Sequence, residues 1–238
     1  MLMPESFRLS VENRSICGIL HLPPTAKSPC VITAHGLFSS KDSDKFISIA
    51  DYFTRHGLAV IRFDFGGCGE STGSISDTTV SRRLKELTEV VAFARQHPSL
   101  SARLGLLGSS LGGYVSLLYA AQDPAVNALS VWATPYSLLE LRHKLPAEDL
   151  HQLKQDFFID AAQYHLEPVL SALTFVQIIH GKSDAIVPYT HAQQLFRRVS
   201  QPKELHIIPA GDHSLTGPGD RKRAIDHSLR WFQTCLLI

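Results

Sequence analysis

The chain has 238 residues, with 23 Lys and Arg against 22 Asp and Glu, a formal net charge of +1, 44% hydrophobic residues and 19% charged residues. That balance is ordinary for a globular protein, and the length suffices for one large core. Near neutrality excludes a general attraction to nucleic acid or acidic membranes, and no apolar stretch approaches the roughly 20 residues needed to cross a bilayer.

The only concentrated basic patch, DRKRA at 220–224, reads as the solvated opening of the last helix. Cys17, Cys30, Cys68 and Cys235 lie far apart, with no CxxC pair and no metal-ligand spacing. Scattered cysteines of this kind read as reduced thiols, hence a cytosolic setting. The opening MLMPESFRLS has Pro4 and Glu5 where a signal peptide needs a basic start and an apolar run. The expectation is a cytoplasmic, unprocessed protein.

In chain order, SFRLSVEN and RSICGILHLP predict a hairpin with Asn13 near its turn. CVITAHG is a short apolar run that suits a strand buried on both faces. DKFISIADYFTRHG repeats Phe46, Ile49, Ala50 and Phe53 at helical spacing, and Gly57 fits the stop. LAVIRFDF is the next strand, broken by GGCGESTGS. A long amphipathic helix, TTVSRRLKELTEVVAFARQH, then runs to Pro98.

The alternation continues with strand ARLGLLGS, helix SLGGYVSLLYAAQD and strand ALSVWAT. After a gap come strand FVQIIHG, helix THAQQLFRRV, strand KELHIIPA and helix DRKRAIDHSLRWFQTCLL. Strands alternating with helices imply βαβ crossovers, so the predicted class is α/β: a mostly parallel twisted sheet of about eight strands with helices on both faces. Residues 135–172 break the pattern with helical pieces such as SLLELRHKL and AEDLHQLKQDFFI. They are read as a small helical cap, inserted into a single-domain core of residues 1–134 and 173–238. A peripheral helical hairpin is the competing reading.

GLLGSSLGGYV, residues 105–115, holds two adjacent serines among glycines. Only one register gives G-x-S-x-G: Gly108, Ser109, Ser110, Leu111, Gly112. Ser110 is therefore the candidate nucleophile, and Ser109 fills the variable slot. A nucleophile on a sharp strand-to-helix turn needs neighbours without bulk, which Gly108 and Gly112 supply. A structural Gly–Ser turn is the bland alternative.

A hydroxyl needs a base, and the base needs an acid, expected in the order Ser, acid, His in loops after later strands. HGKSDAIVP supplies Asp184 and PAGDHSLTGPG supplies His213. A solvated Asx turn competes for Asp184. His180 at a strand end and His227 on the last helix are rivals to His213, while Asp212 reads as a turn-forming acceptor. Donors for an oxyanion are expected from the N–H groups of Leu37, after His35-Gly36, and Leu111, with His35 itself structural. GGCGESTG fails the dinucleotide fingerprint, since Gly67 and Gly69 are followed by Thr72. There is no Walker A lysine motif and no clustered metal-ligand set, so neither cofactor nor metal is expected.

Together AHGLFSSK, AVIRFDFGGCGESTGSISDTTV, GSSLGG, HGKSDAIVP and LHIIPAGDHS resemble an α/β-hydrolase, most nearly the small bacterial feruloyl/cinnamoyl-type esterases and the related serine aminopeptidase-like group. The resemblance runs over nearly the whole chain with its motifs in order. It implies a Ser110–Asp184–His213 triad, Leu37 and Leu111 as oxyanion donors, and a 135–172 cap. Cys68 is a departure, standing where many relatives place a charged residue and His.

The expected function is a serine carboxylesterase acting on small acyl or aryl esters, hydroxycinnamoyl esters among them. A thioesterase, or an aminopeptidase or amidase with the same triad, is the alternative. A non-catalytic binding protein on this fold is less favoured, since no triad member is missing. The expected partner is a small-molecule ester, with no nucleic acid and no membrane, and a monomer or a homodimer is left open. Tyr136, Phe157, Phe158 and Tyr164 offer either an aromatic acyl pocket or core packing.

Overall fold

Successive residues of the central strands bury opposite faces of one sheet, which is why those strands read as unbroken apolar runs. Ile32, Ile61, Leu106 and Ile178 pack into the core on one face. Their neighbours Val31, Val60, Leu107 and Ile179 pack into the core on the other. The computed structural model describes residues 3–25, 27–141, 144 and 146–237.

The sheet holds β1 (Glu5–Val11), β2 (Arg14–His21), β3 (Ser28–Ala34), β4 (Ala59–Phe63), β5 (Leu100–Ser109), β6 (Ala128–Trp132), β7 (Val176–Gly181) and β8 (Lys203–Ile208). Their spatial order is β1-β2-β4-β3-β5-β6-β7-β8. The opening hairpin is antiparallel and joins β4 antiparallel, while every pairing from β4 to β8 is parallel.

Helices cover both faces. α1 (Asp44–Arg55) and α8 (Pro218–Leu236) bury Phe46, Ile49, Phe53, Leu229 and Phe232 against one. α2 (Val80–Gln96) and α3 (Leu111–Gln122) bury Leu87, Val90, Tyr114 and Leu117 against the other, as does α7 (Thr190–Arg198) with Ala192 and Leu195. The helix α2 starts where the Thr79 hydroxyl accepts from Arg82 N–H, a side-chain cap. α8 begins at Pro218, two residues ahead of the predicted DRKRA opening, because proline suits the first turn.

Between β6 and β7 lie a short 3-10 turn at Leu139–Leu141, α4 (Ala147–Gln152), α5 (Gln155–Ala161) and α6 (Glu167–Leu170). The single helical run read in AEDLHQLKQDFFI is broken in two, with Leu153 and Lys154 in extended conformation. Within SLLELRHKL the helical turn is Leu139–Leu141, and Arg142, His143 and Leu145 of that stretch lie outside the described residues.

This segment is fastened from several sides. Asp160 accepts from Ser81 N–H at 3.0 Å, and the Tyr114 hydroxyl donates to Tyr164 O at 2.7 Å. Tyr136 N–H donates to His191 Nδ1 at 3.0 Å, and the Arg198 guanidinium lies over the Tyr136 ring. Among the described residues, no helix is long and apolar enough to cross a membrane.

Phe53 and Phe232, both fully buried, meet edge-on at 6.0 Å between α1 and α8. Phe232→Ala is expected to cost about 3–5 kcal/mol of stability. A urea unfolding curve measures this, and a midpoint equal to wild type would show that the helix pair contributes little.

Candidate active site

The turn from β5 into α3 places Ser110 at φ 53 and ψ −122, a conformation L-residues rarely adopt. Its N–H is tied to Trp132 O at 2.8 Å, which continues the β5–β6 pairing by one residue. The flanking glycines are required by close approach. A Cβ on Gly108 would lie 2.5 Å from Gly113 Cα, and one on Gly112 would lie 2.1 Å from Ala34 O. The register that singled out Ser110 therefore has a steric basis on both sides.

Asp184 follows β7 and His213 follows β8, and their loops converge on Ser110. His213 Nδ1–H donates to Asp184 Oδ2 at 2.7 Å, and the Ser110 hydroxyl donates to His213 Nε2 at 3.1 Å. Ile186 and Val187 N–H donate to Asp184 Oδ1 at 2.9 and 2.8 Å. Both Asx-turn geometry and imidazole contact thus occur at Asp184, so the two readings of that residue are not exclusive.

His180 proves to be more than a rival. It is fully buried, its Nε2–H donates to Val187 O at 2.8 Å, and the same atom lies 3.2 Å from Asp184 Oδ2. Its Nδ1 has no hydrogen-bond partner among the described residues. Burial alone would raise the Asp184 pKa. The hydrogen bonds from His180 and His213, the charge of His213 and the Val187 N–H outweigh burial and hold the carboxyl well below the usual carboxylate range. His227 lies elsewhere, stacked on His206. Asp212 accepts from Ser214 and Thr216 N–H at 3.1 and 2.9 Å, the turn-forming role expected of it.

Leu37 and Leu111 line one cavity together with Ser110 and His213. Leu111 is the first residue of α3, so its N–H has no acceptor within the helix. The loop carrying Leu37 is anchored by His35, which donates from Nδ1 to Gly36 O at 2.8 Å and accepts at Nε2 from Phe65 N–H at 2.9 Å. Burial, with the Arg83 charge beside it, pushes His35 down to about 3 and keeps the ring neutral.

Sequence reasoning missed the cations beneath these loops. Arg83, fully buried on α2, donates to His35 O at 3.2 Å, Gly36 O at 3.3 Å and Thr78 Oγ1 at 3.0 Å, and stacks on Phe65. Cys68 sits beside it, buried, with its Sγ 3.9 Å from Arg83 Nη2, and burial pushes its thiol up. Glu86, also buried, accepts from Gly66 N–H at 3.0 Å. Asp42, Asp64 and Glu70 converge closely enough to hold a cation, but the Lys41 ammonium fills that place at 2.7, 3.1 and 2.7 Å.

Ser109 is not a passive filler either, since Lys45 Nζ on α1 donates to its hydroxyl at 2.7 Å. No local motif signals the contacts of Lys45 with Ser109, Arg83 with His35 or Glu86 with Gly66, which join residues 64, 48 and 20 positions apart.

The cavity over Ser110 has a volume of about 210 Å³. Its apolar wall comes from Phe38, Pro135, Leu138, Leu141, Phe157 and Phe158, most of them from the 135–172 segment. Of the four aromatics singled out there, Phe157 and Phe158 face this cavity, whereas Tyr136 and Tyr164 line a separate neighbouring cleft.

Residues 29–175 match the alpha/beta hydrolase fold family, and the chain belongs to it. Among curated proteins it is similar to the mitochondrial palmitoyl-protein thioesterase ABHD10 of Mus musculus, 25% identical over 237 residues, covering 89% of this chain and 78% of that protein. Among solved structures, Est1E from Butyrivibrio proteoclasticus with ferulic acid bound superposes at TM-score 0.85 and 20% identity, covering 95% of this chain and 99% of that one. Mouse alpha/beta hydrolase domain-containing protein 10 superposes at TM-score 0.78 and 22% identity, covering 97% and 99%.

A carboxyl whose pKa is depressed in the fold contributes stability that is present above its unfolded value, near 4, and is lost as pH falls through the folded value. Asp184 is such a group. The loss in urea midpoint between pH 7 and pH 3 is expected to be smaller in Asp184→Asn than in wild type. An equal or larger loss in the variant would contradict the charge-stabilised state of this carboxylate.

Proposed function

We propose that the protein is a cofactor-independent serine hydrolase acting on carboxylic esters with small acyl groups. The observation that carries this reading is the unbroken relay from Ser110 Oγ through His213 to Asp184, at 3.1 and 2.7 Å, opening onto an apolar cavity.

The chemistry follows from that relay. Ser110 Oγ attacks the acyl carbon while His213 Nε2 takes its proton. The imidazolium so formed is paired with the Asp184 carboxylate, which stays ionised. The developing oxyanion accepts hydrogen bonds from the N–H groups of Leu37 and Leu111. Collapse breaks the ester C–O bond, His213 protonates the departing alcohol, and the acyl group stays on Ser110. Water, deprotonated by His213, then releases the carboxylic acid and restores the serine. The 135–172 segment serves as a cap that walls the acyl group from solvent.

The cavity bears on the acyl group. The cavity is small and its wall is apolar, with the rings of Phe38, Phe157 and Phe158 in it, which suits a short aliphatic or an aromatic acyl group. The ferulic acid bound to Est1E is aromatic, whereas the palmitoyl group in the name of the mouse relative is a long alkyl chain. A thioester in place of the oxygen ester uses the same attack and the same oxyanion, so short acyl thioesters form the second reading, favoured by that relative's name.

Ser110→Ala is expected to lower kcat for p-nitrophenyl butyrate by about 10⁴-fold or more. Ser109→Ala, which removes only the Lys45 acceptor, should retain most of the activity. Initial rates on the purified variants decide this, and equal activity in the two would remove Ser110 from the mechanism.

A further inference from the structure

Beside the cavity over Ser110 lies a second concavity of about 560 Å³, where the rings of Tyr114, Tyr136 and Tyr164 and the side chain of Leu166 stand beside the polar Glu140, His165 and Glu167. The two run close together along the chain. Pro135 faces the first and Tyr136 the second; Leu111 faces the first, and Tyr114, three residues further along α3, faces the second. Among the described residues, a single residue lines both, Leu138.

The rest of this partition is fixed in place. Tyr136 N–H is held by His191, Tyr114 Oη is held by Tyr164 O, and the start of α3 is locked by the close packing of Gly112 on Ala34 O. Leu138 itself lies in irregular backbone between β6 and the 3-10 turn and is only half-buried. Its isobutyl group is therefore the part of the wall that can change without unseating the loops around Ser110.

We infer that Leu138 is the residue that sets acyl-chain length: it ends the acyl cavity, and the tyrosine-lined cleft behind it is the space that longer chains would enter. This rests on the hydrolase reading above. A chain that outgrows the first cavity on that side meets the Leu138 isobutyl group and must displace it from its contacts with the rest of the wall. Trimming Leu138 to Ala removes three carbons and joins the two spaces, whose rings can cover an alkyl tail. Each further methylene buried there should then raise kcat/KM about fourfold instead of lowering it. A bulkier side chain at the same place should act in the opposite sense.

The test is a chain-length series of p-nitrophenyl esters from acetate to dodecanoate, each below its aggregation limit, on wild type, Leu138→Ala and Leu138→Phe. Wild type is expected to peak at short chains. The dodecanoate-to-butyrate ratio of kcat/KM should rise tenfold or more in Leu138→Ala, and the hexanoate-to-acetate ratio should fall in Leu138→Phe. If Leu138→Ala does not fold, the shift in Leu138→Phe carries the test by itself. Chain-length profiles that coincide in proteins that all cleave butyrate would overturn the inference and leave the hydrolase reading standing. A wild-type protein that cleaves none of the series would overturn both.

Discussion

Everything at the site depends on holding Ser110 at φ 53 and ψ −122. A non-glycine residue pays of order 1–3 kcal/mol for such a backbone, so the surroundings must over-determine it. They do so from three directions. Trp132 O captures the Ser110 N–H, Gly113 packs on Gly108 from the helix side, and Ala34 O closes on Gly112 from β3. The turn aims the hydroxyl away from the sheet, toward the loops that follow β7 and β8. The strand order sets those loops beside one another, so Asp184 and His213 arrive at one side of Ser110 without any long excursion of the chain.

Beneath these loops lies a layer of buried charge. Arg83 grips the carbonyls of His35 and Gly36, Glu86 grips Gly66, and Lys41 pairs with the buried Asp64 while reaching the exposed Asp42 and Glu70. Removing one partner of the buried Lys41–Asp64 pair leaves an uncompensated charge and costs about 3–5 kcal/mol. The loop bearing Leu37 and the glycine-rich loop after β4 are therefore anchored from below, and Leu37 and Phe38 of the first face the cavity over Ser110. His180 does the same for Asp184, supplying a second imidazole to a carboxylate that already has two backbone donors.

Much of this was legible in the sequence, for reasons that are local. The central strands are buried on both faces and read as apolar runs, and helices such as α1 carry their core residues at helical spacing. Ser110 was distinguishable from Ser109 because only one register puts glycine two residues away on each side. Asp184 and His213 were legible because each stands in the loop just past a predicted strand. What escaped is non-local. The Lys45 bond to Ser109, the Arg83 grip on residues 35 and 36, and the approach of His180 to Asp184 depend on how strands and helices stack. The 135–172 segment was harder for another reason: its helices are short and weakly periodic, so the break at Leu153–Lys154 left no signal in the pattern.

The central claim is that Ser110 is a nucleophile activated by His213. Reaction of the folded protein with a small fluorophosphonate, followed by intact-mass and peptide analysis, tests it most directly. The account predicts one covalent adduct per chain, on the peptide containing Ser110, with labelling strongly slowed in His213→Ala. Absence of an adduct, or an adduct on Ser109, would contradict it.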